Sequence, residues 1–198
     1  MVEPYKVDVP EGKSGGWAVE RFIVDTRAAA LENLRASIGS SARPIEAGTY
    51  TALRRSGHTV MSDTPAEYRD LAGVVRAARG RVLLIGLGLG CVLDAVARKP
   101  EVTHIDVIEQ SPDVISLVWP HWLSRYGTER VTLIDADARS YRPTRGVRWD
   151  VAWLDIWDDI CGDNAREMAA LRARYRRRSE WVGVWCYYET LRANRHGR

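Results

Sequence analysis

Cysteine and lysine are scarce in this 198-residue chain, and each scarcity excludes something. Cys91, Cys161 and Cys186 are odd in number, far apart, and never in a Cys-x-x-Cys pair, which argues against a disulfide framework, a zinc knot or a redox site. They read as reduced and structural, and no metal site is expected. Lys6, Lys13 and Lys99 are the only lysines, so arginine carries nearly all the positive charge; a net charge of +3 is too mild to imply nucleic acid by itself. Long apolar runs are also missing. The longest uncharged stretch, Val82 to Leu93, contains three glycines and falls well short of the roughly 20 residues of a membrane-spanning helix. The first twenty residues, MVEPYKVDVPEGKSGGWAVE, lack the basic start and apolar core of a secretory leader. A cytoplasmic chain without a membrane span is the expectation.

The length and the 45% apolar content suit one substantial core with an extension. Residues 1–16, with Pro4, Pro10 and Gly15-Gly16, read as a loose arm. Trp17 to Asp25 reads as a strand, and residues 26–38, with Ala30, Leu31, Leu34 and Ile38 at helical spacing, as an amphipathic helix. TYTALRR, Ser56-Gly57 and HTVMSD have the β-rich flanks and two-residue turn of a hairpin that should pack beside the main sheet. In Thr64-Pro65-Ala66-Glu67 the threonine suits a helix cap, the proline the first helical position, and the glutamate the far side of a capping box. That helix is expected to run to about Arg79 and stop at Gly80.

From residue 81 the chain alternates strand and helix. RVLLIG is a continuous apolar run of the kind buried on both faces of a parallel sheet, and CVLDAVARK is helical. THIDVIE, VTLIDA, DVAWLD and EWVGVW repeat the strand signal, with helices near 112–126 and 164–178. The pattern predicts an α/β fold, a Rossmann-like doubly wound and mostly parallel sheet over residues 80–198, preceded by an N-terminal strand, helix and β-hairpin extension over residues 1–79.

Gly86-Leu87-Gly88-Leu89-Gly90 falls at the junction of the first buried strand and its helix. Glycines suit a sharp turn with a ligand lying against the backbone near the positive end of a helix dipole, although such turns also serve packing alone. Glu109 ends the next strand, 23 residues after Gly86, where an acid can accept hydrogen bonds from both hydroxyls of a ribose; it also reads as a surface acid. The NAD fingerprint wants glycine or alanine at the position of Cys91, which separates this loop from that class. Asp137-Ala138 follows the third strand.

Glycine loop, ribose acid and Asp-Ala together resemble the class I S-adenosylmethionine-dependent methyltransferases. The resemblance implies S-adenosyl-L-methionine as cofactor, held by Gly86, Gly88, Gly90, Glu109, Asp137 and Ala138, with the Asp137 carboxylate meeting the adenine amino group. Within that superfamily the chain is most similar to the spermidine synthases, over roughly Tyr50 to Tyr188, through the hairpin ahead of the first helix, EQSPDVISLV and VTLIDADA. Those enzymes place an Asp-x-x-Asp after the fourth strand, and Asp155-Ile156-Trp157-Asp158 stands there. The resemblance implies that Asp155 handles the attacking amine and that Asp158 helps bind the acceptor. The family's next residue is proline; here it is Asp159.

The chemistry asks for such an acid independently, because transfer from a sulfonium is an in-line displacement in which the nucleophile's proton must go somewhere. Trp153 and Trp157 flank Asp155, and aromatic faces beside carboxylates suit an ammonium or guanidinium group, though Trp153 within its strand also reads as core. The run Arg172 to Arg178 reads as a solvated helix end rather than a phosphate-binding surface, and the Asn/Asp-Pro-Pro-aromatic sequence of DNA amino-methyltransferases is absent. After WVGVWCYY ten residues remain, so the final antiparallel strands of a class I methyltransferase are expected to be missing. The exposed edge would be covered by the N-terminal strands or by a second copy in a homodimer. The expected function is a methyltransferase for a small or cationic acceptor. An aminopropyltransferase, or a non-catalytic nucleoside-binding module, are the alternatives.

Overall fold

The computed structural model describes residues 6–38 and 43–196. Two sheets are present. Strands β1 (Gly12–Ser14), β2 (Trp17–Val24), β3 (Gly48–Arg55) and β4 (His58–Ser62) form an antiparallel sheet in that order. Strands β5 (Gly80–Ile85), β6 (Val102–Glu109), β7 (Val131–Asp135), β8 (Trp149–Leu154) and β9 (Ser179–Val184) form a wholly parallel sheet in the order β7-β6-β5-β8-β9. The order reverses at β5, and a crevice at the carboxyl ends of the strands beside that switch is where ligands of open α/β sheets bind.

β5 takes the centre because all its inner side chains are apolar and it buries both faces. Val82 and Leu84 enter one core together with α2 (Pro65–Ala77), α3 (Cys91–Ala97) and α4 (Pro112–Tyr126). Leu83 and Ile85 enter the opposite core with α5 (Ala165–Arg176). This is the period-two alternation of a strand covered on both sides.

The helix starts follow local chemistry. Ser111 Oγ accepts from Val114 N at 3.3 Å ahead of Pro112, and α4 covers the predicted span 112–126. Asp25 caps α1 (Thr26–Ser37) by accepting from Ala28 N at 2.7 Å. α5 begins one residue late, after a short 3-10 turn at Gly162–Asn164.

Several expectations are corrected. Residues 6–16 are no loose arm, residues 1–5 lying outside the described residues: β1 pairs with β2, Val7 and Val9 are buried in the first core, and Val7 N donates to Asp63 Oδ2 at 3.1 Å. The hairpin does not extend the main sheet but joins β1 and β2 in a sheet of its own, so no ladder from it covers the edge strands β7 and β9. The capping box does not form: the Thr64 side chain caps no amide and lies 3.1 Å from Ser62 Oγ instead. α2 ends at Ala77, and Gly80 opens β5 rather than closing the helix. The apolar stripe of α1 is not buried, with Leu31, Leu34 and Ile38 all exposed and only Ala29 inside. A helix absent from the reading, α6 (Tyr187–His196), follows β9 and packs on the 3-10 turn, where Gly162 leaves only enough room for the Asn194 backbone.

The two sheets share one core, since Val7, Val9, Val19 and Leu53 pack in the same cluster as Val82, Val92 and Val118. Asp63 is its polar tie, 1% exposed, with Oδ2 accepting from Val7 N and Oδ1 from Thr51 N at 2.7 Å. Asp63→Ala orphans two buried amides, each worth about 1–3 kcal/mol. Urea unfolding is expected to show a loss of about 2–4 kcal/mol, and amide exchange at Val7 and Thr51 should accelerate most.

Candidate functional site

The carboxyl ends of β5, β6, β7 and β8 open into one cleft, lined also by Trp17, Arg55, Val60 and Met61 of the antiparallel sheet. Gly86, Gly88, Glu109, Asp137, Ala138, Asp155, Trp157 and Asp158 all line it. Residues spread over 73 positions of sequence, from 86 to 158, are thus brought to one wall by the parallel topology.

The glycine loop is tight for reasons the sequence alone did not distinguish. Gly86 has φ +98°, and a Cβ there would lie 2.0 Å from the Asp155 carbonyl oxygen, so the end of β5 touches the end of β8. Gly88 has φ +52°, and a Cβ would lie 2.5 Å from Met61 Sδ, which accepts from Leu89 N at 3.3 Å. The hairpin therefore closes directly on the loop. Gly90 does not line the cleft. Its left-handed backbone begins α3 beside the Trp122 ring, whose Nε1 donates to Leu89 O at 3.0 Å.

Glu109 is committed to the loop. Its Oε2 accepts from Leu87 N at 2.9 Å, and its Oε1 accepts from Gln110 N and Ser111 N at 2.9 and 2.8 Å. Oε1 is thus filled, while Oε2, with one of its two acceptor directions used, keeps capacity for a further donor. Asp137 is likewise fixed, with Oδ1 accepting from Arg139 N at 2.8 Å, while the Ala138 carbonyl accepts from Tyr175 Oη at 2.9 Å.

Trp157 and Asp158 both line the cleft, and each has a partner of its own. Trp157 is 8% exposed, and its Nε1 donates to Glu167 Oε2 at 2.7 Å; Glu167 in turn pairs with Arg139 at 2.6 Å, and Arg139 lies 3.6 Å from Asp137. This chain holds Trp157 on the Asp137 side of the cleft. Asp158 is not a free recruiting charge, because Arg55 of β3 is ion-paired with it and lies 5.3 Å over the Trp17 ring. Trp153 is core, as one of its readings had it, lying against Gly183 of β9.

The acidic end of the cleft was only half legible. Asp155 was read; Glu67 of α2 and Trp185, just beyond β9, were not, yet both line the same cleft. Trp185 N donates to Leu154 O at 2.9 Å, which sets its residue next to Asp155 across the strand ends. Burial pushes Asp155 up to about 7, helped by the negative charge of Glu67 and, less, of Asp70, and opposed by the Trp153 indole N–H. Burial also pushes Glu67 up to about 7, opposed by Arg43 and helped by Asp70. Helical spacing put Glu67 one turn from Asp70, but nothing local said which face β8 would meet.

The arginine run near the end of α5 staples the loop after β7. Arg174 donates to the carbonyls of Ala138, Arg139 and Tyr141, and Arg178 donates to those of Thr144 and Val147 at 3.4 and 3.2 Å.

Strand order and glycine loop define a Rossmann-like α/β fold. No family model matches the chain. Polyamine aminopropyltransferase 2 of Ralstonia nicotianae is 33% identical over 91 residues, 42% of this chain and 18% of that protein; polyamine aminopropyltransferase 1 of the same organism matches with the same identity over 17% of its length. The match therefore spans less than a fifth of either curated relative. Among solved structures, the CcbJ methyltransferase from Streptomyces caelestis is 18% identical with a TM-score of 0.45, over 57% of this chain and 47% of that one. CalS10, an amino pentose methyltransferase from Micromonospora echinaspora solved with SAM bound, is 25% identical with a TM-score of 0.38, over 57% and 45%. Among the described residues no helix is long and apolar enough to cross a membrane.

A carboxyl raised in the folded state stabilises the fold fully below the ordinary carboxylate range and loses that contribution as pH rises through its folded value. For Asp155 that window runs from about 3.8 to about 7. Asp155→Asn is therefore expected to melt higher than the parent at pH 8, by roughly 2–4 °C for each kcal/mol recovered, with the gain gone at pH 4. Paired thermal melts at the two pH values check it.

Proposed function

We propose that the chain is an S-adenosylmethionine-dependent methyltransferase for a small cationic acceptor. The observation that carries this reading is the single cleft at the switch point of the parallel sheet, lined by Gly86, Gly88, Glu109, Asp137 and Ala138 together with Asp155. In this reading Glu109 receives the ribose hydroxyls, Asp137 the adenine amino group, and the backbone at Gly86 and Gly88 lets the nucleoside lie against the loop. The residues fit such a group: Glu109 lines the cleft with acceptor capacity left on Oε2, and Gly86 and Gly88 add no side chain of their own to the loop.

Bound S-adenosylmethionine would supply an electrophilic methyl group on a sulfonium. The chain's own residues do the rest. Asp155, at the mouth of the cleft, accepts the proton that the nucleophile loses, and a carboxyl poised near neutrality suits that task. Trp185 next to it offers an aromatic face to a cationic acceptor. Arg55 and Asp158 close the outer rim.

Aminopropyl transfer is a second reading, favoured by the Asp155-x-x-Asp158 spacing and by the partial likeness to two polyamine aminopropyltransferases. Labelled S-adenosylmethionine and its decarboxylated form, each offered with a panel of amines and guanidino compounds, separate the two.

Calorimetry is expected to show S-adenosylhomocysteine binding that Glu109→Ala weakens by about 1–3 kcal/mol, the cost of unpairing buried hydrogen-bonding groups. Tight NAD binding with no affinity for sulfur nucleosides would refute the reading. Asp155→Asn should lower turnover by about 10² to 10⁴ with little change in nucleoside affinity. Nucleoside binding with no transfer to any acceptor, and an Asn variant equal to the parent, would point instead to a non-catalytic module.

A further inference from the structure

Glu67 stands in the first turn of α2, where a capping box was expected, and it takes no part in capping. Its side chain lines the cleft instead, facing the same space as Asp155. Among the described residues its ion pair is a loose one, Arg43 Nη1 at 3.9 Å; the closer bonds of Arg43, both 2.7 Å, go to Asp70 Oδ2 and the Ala66 carbonyl. Asp155 is no better served. The Trp153 indole N–H faces it, yet this nitrogen is fully buried and short of hydrogen-bond geometry with any partner. Two carboxyls, one from α2 and one just past the end of β8, thus line one cleft, with an unsatisfied buried donor next to Asp155.

We propose that Glu67 and Asp155 act as one carboxyl pair holding a single proton at the acceptor end of the cleft, which makes Glu67 the positioning residue that decides when Asp155 can accept a proton. Two like charges in a partly buried site cannot both ionise cheaply, so one carboxyl stays protonated and the pair carries one negative charge. Asp70 adds to the repulsion, Arg43 opposes it, and the thiols of buried Cys91 and of Cys186, both pushed up by burial, stay neutral beside them. The electrostatic effect runs in the required direction, since the Glu67 charge is the second largest cause of the raised Asp155 value.

The step it serves rests on the transfer reading of this cleft. The nucleophile's lone pair forms the new bond to carbon, the carbon–sulfur bond breaks with its electron pair leaving on a neutral thioether, and the N–H or O–H proton passes to ionised Asp155. Protonated Glu67 has no charge of its own to repel the Asp155 carboxylate while it waits. A single net negative charge also matches one ammonium or guanidinium group rather than two.

The test reads the pair without any ligand. Carboxyl-labelled full-length protein is titrated by carbon NMR as parent, Glu67→Gln, Glu67→Asp and Asp155→Asn. The parent is expected to show one carboxyl of the pair titrating near neutrality, and Glu67→Gln should move Asp155 down by about one pH unit or more. Asp155→Asn should move Glu67 down correspondingly, and Glu67→Asp should restore much of the parental Asp155 titration, which a merely structural role would not do. An Asp155 titration unchanged in Glu67→Gln overturns the proposal, as does a parent in which both carboxyls titrate in the ordinary range. Calorimetry with S-adenosylhomocysteine on the same variants is expected to show equal affinity in parent and Glu67→Gln. Absence of binding in the parent would count against the nucleoside reading alone, because the carboxyl titration does not depend on it.

Discussion

Where β5 ends, Gly86 lies against the backbone carbonyl of Asp155 at the end of β8, at a separation that no side chain could share. That approach joins the loop that would hold a nucleoside to the acid that would serve the transfer. It is made possible by two parallel strands running side by side in register, Val82 with Val151 through Ile85 with Leu154. Because both strands are buried on both faces, their ends have little freedom to drift, and the cleft inherits the rigidity of the sheet.

Around that contact the rest of the site is held by side chains bonding to backbone. Glu109 grips three amides at the ends of β5 and β6, Arg174 and Arg178 hold the carbonyls of the loop after β7, and Trp122 takes the Leu89 carbonyl. Each of these satisfies a backbone group at a strand end, where no ladder partner is available. The charges at its walls are largely answered among the described residues: Asp158 by Arg55, and Asp137 by Arg139. Glu67 and Asp155 are the exceptions. Leaving two carboxyls poorly partnered in a half-buried place costs stability, the kind of local cost that functional sites tolerate because their surroundings over-determine the fold.

The antiparallel sheet is a lid built on the same core rather than an edge protector. Asp63 anchors it through Val7 and Thr51, Val19 and Leu53 enter the main core, and Met61 and Arg55 reach the glycine loop and the outer rim. Residues far from the parallel sheet in sequence therefore shape the cleft directly. This is why the region ahead of residue 79 bears on the site and not on stability alone.

Much of this was readable in the linear chain. The apolar run RVLLIG and the β-branched segment THIDVIE fit buried parallel strands by their shortness, their composition and the turns that bound them. Gly86, Gly88, Glu109, Asp137 and Asp155 each follow a strand, and right-handed crossovers between parallel strands oblige such positions to meet at one end of the sheet. What the chain alone did not disclose was long-range. A glutamate one turn into a helix looks like a cap until β8 lies beside it; an aspartate after a tryptophan looks free until a hairpin brings Arg55 to it; and the stretch before Trp17, rich in proline and glycine, looks loose until Asp63 offers it a buried carboxylate. Local sequence determined which elements form and which ends carry polar groups, because propensity and burial period act over a few residues. Only the packing of α2 and the antiparallel sheet against the main sheet decided which of those groups are paired, which are buried, and which two carboxyls share the cleft.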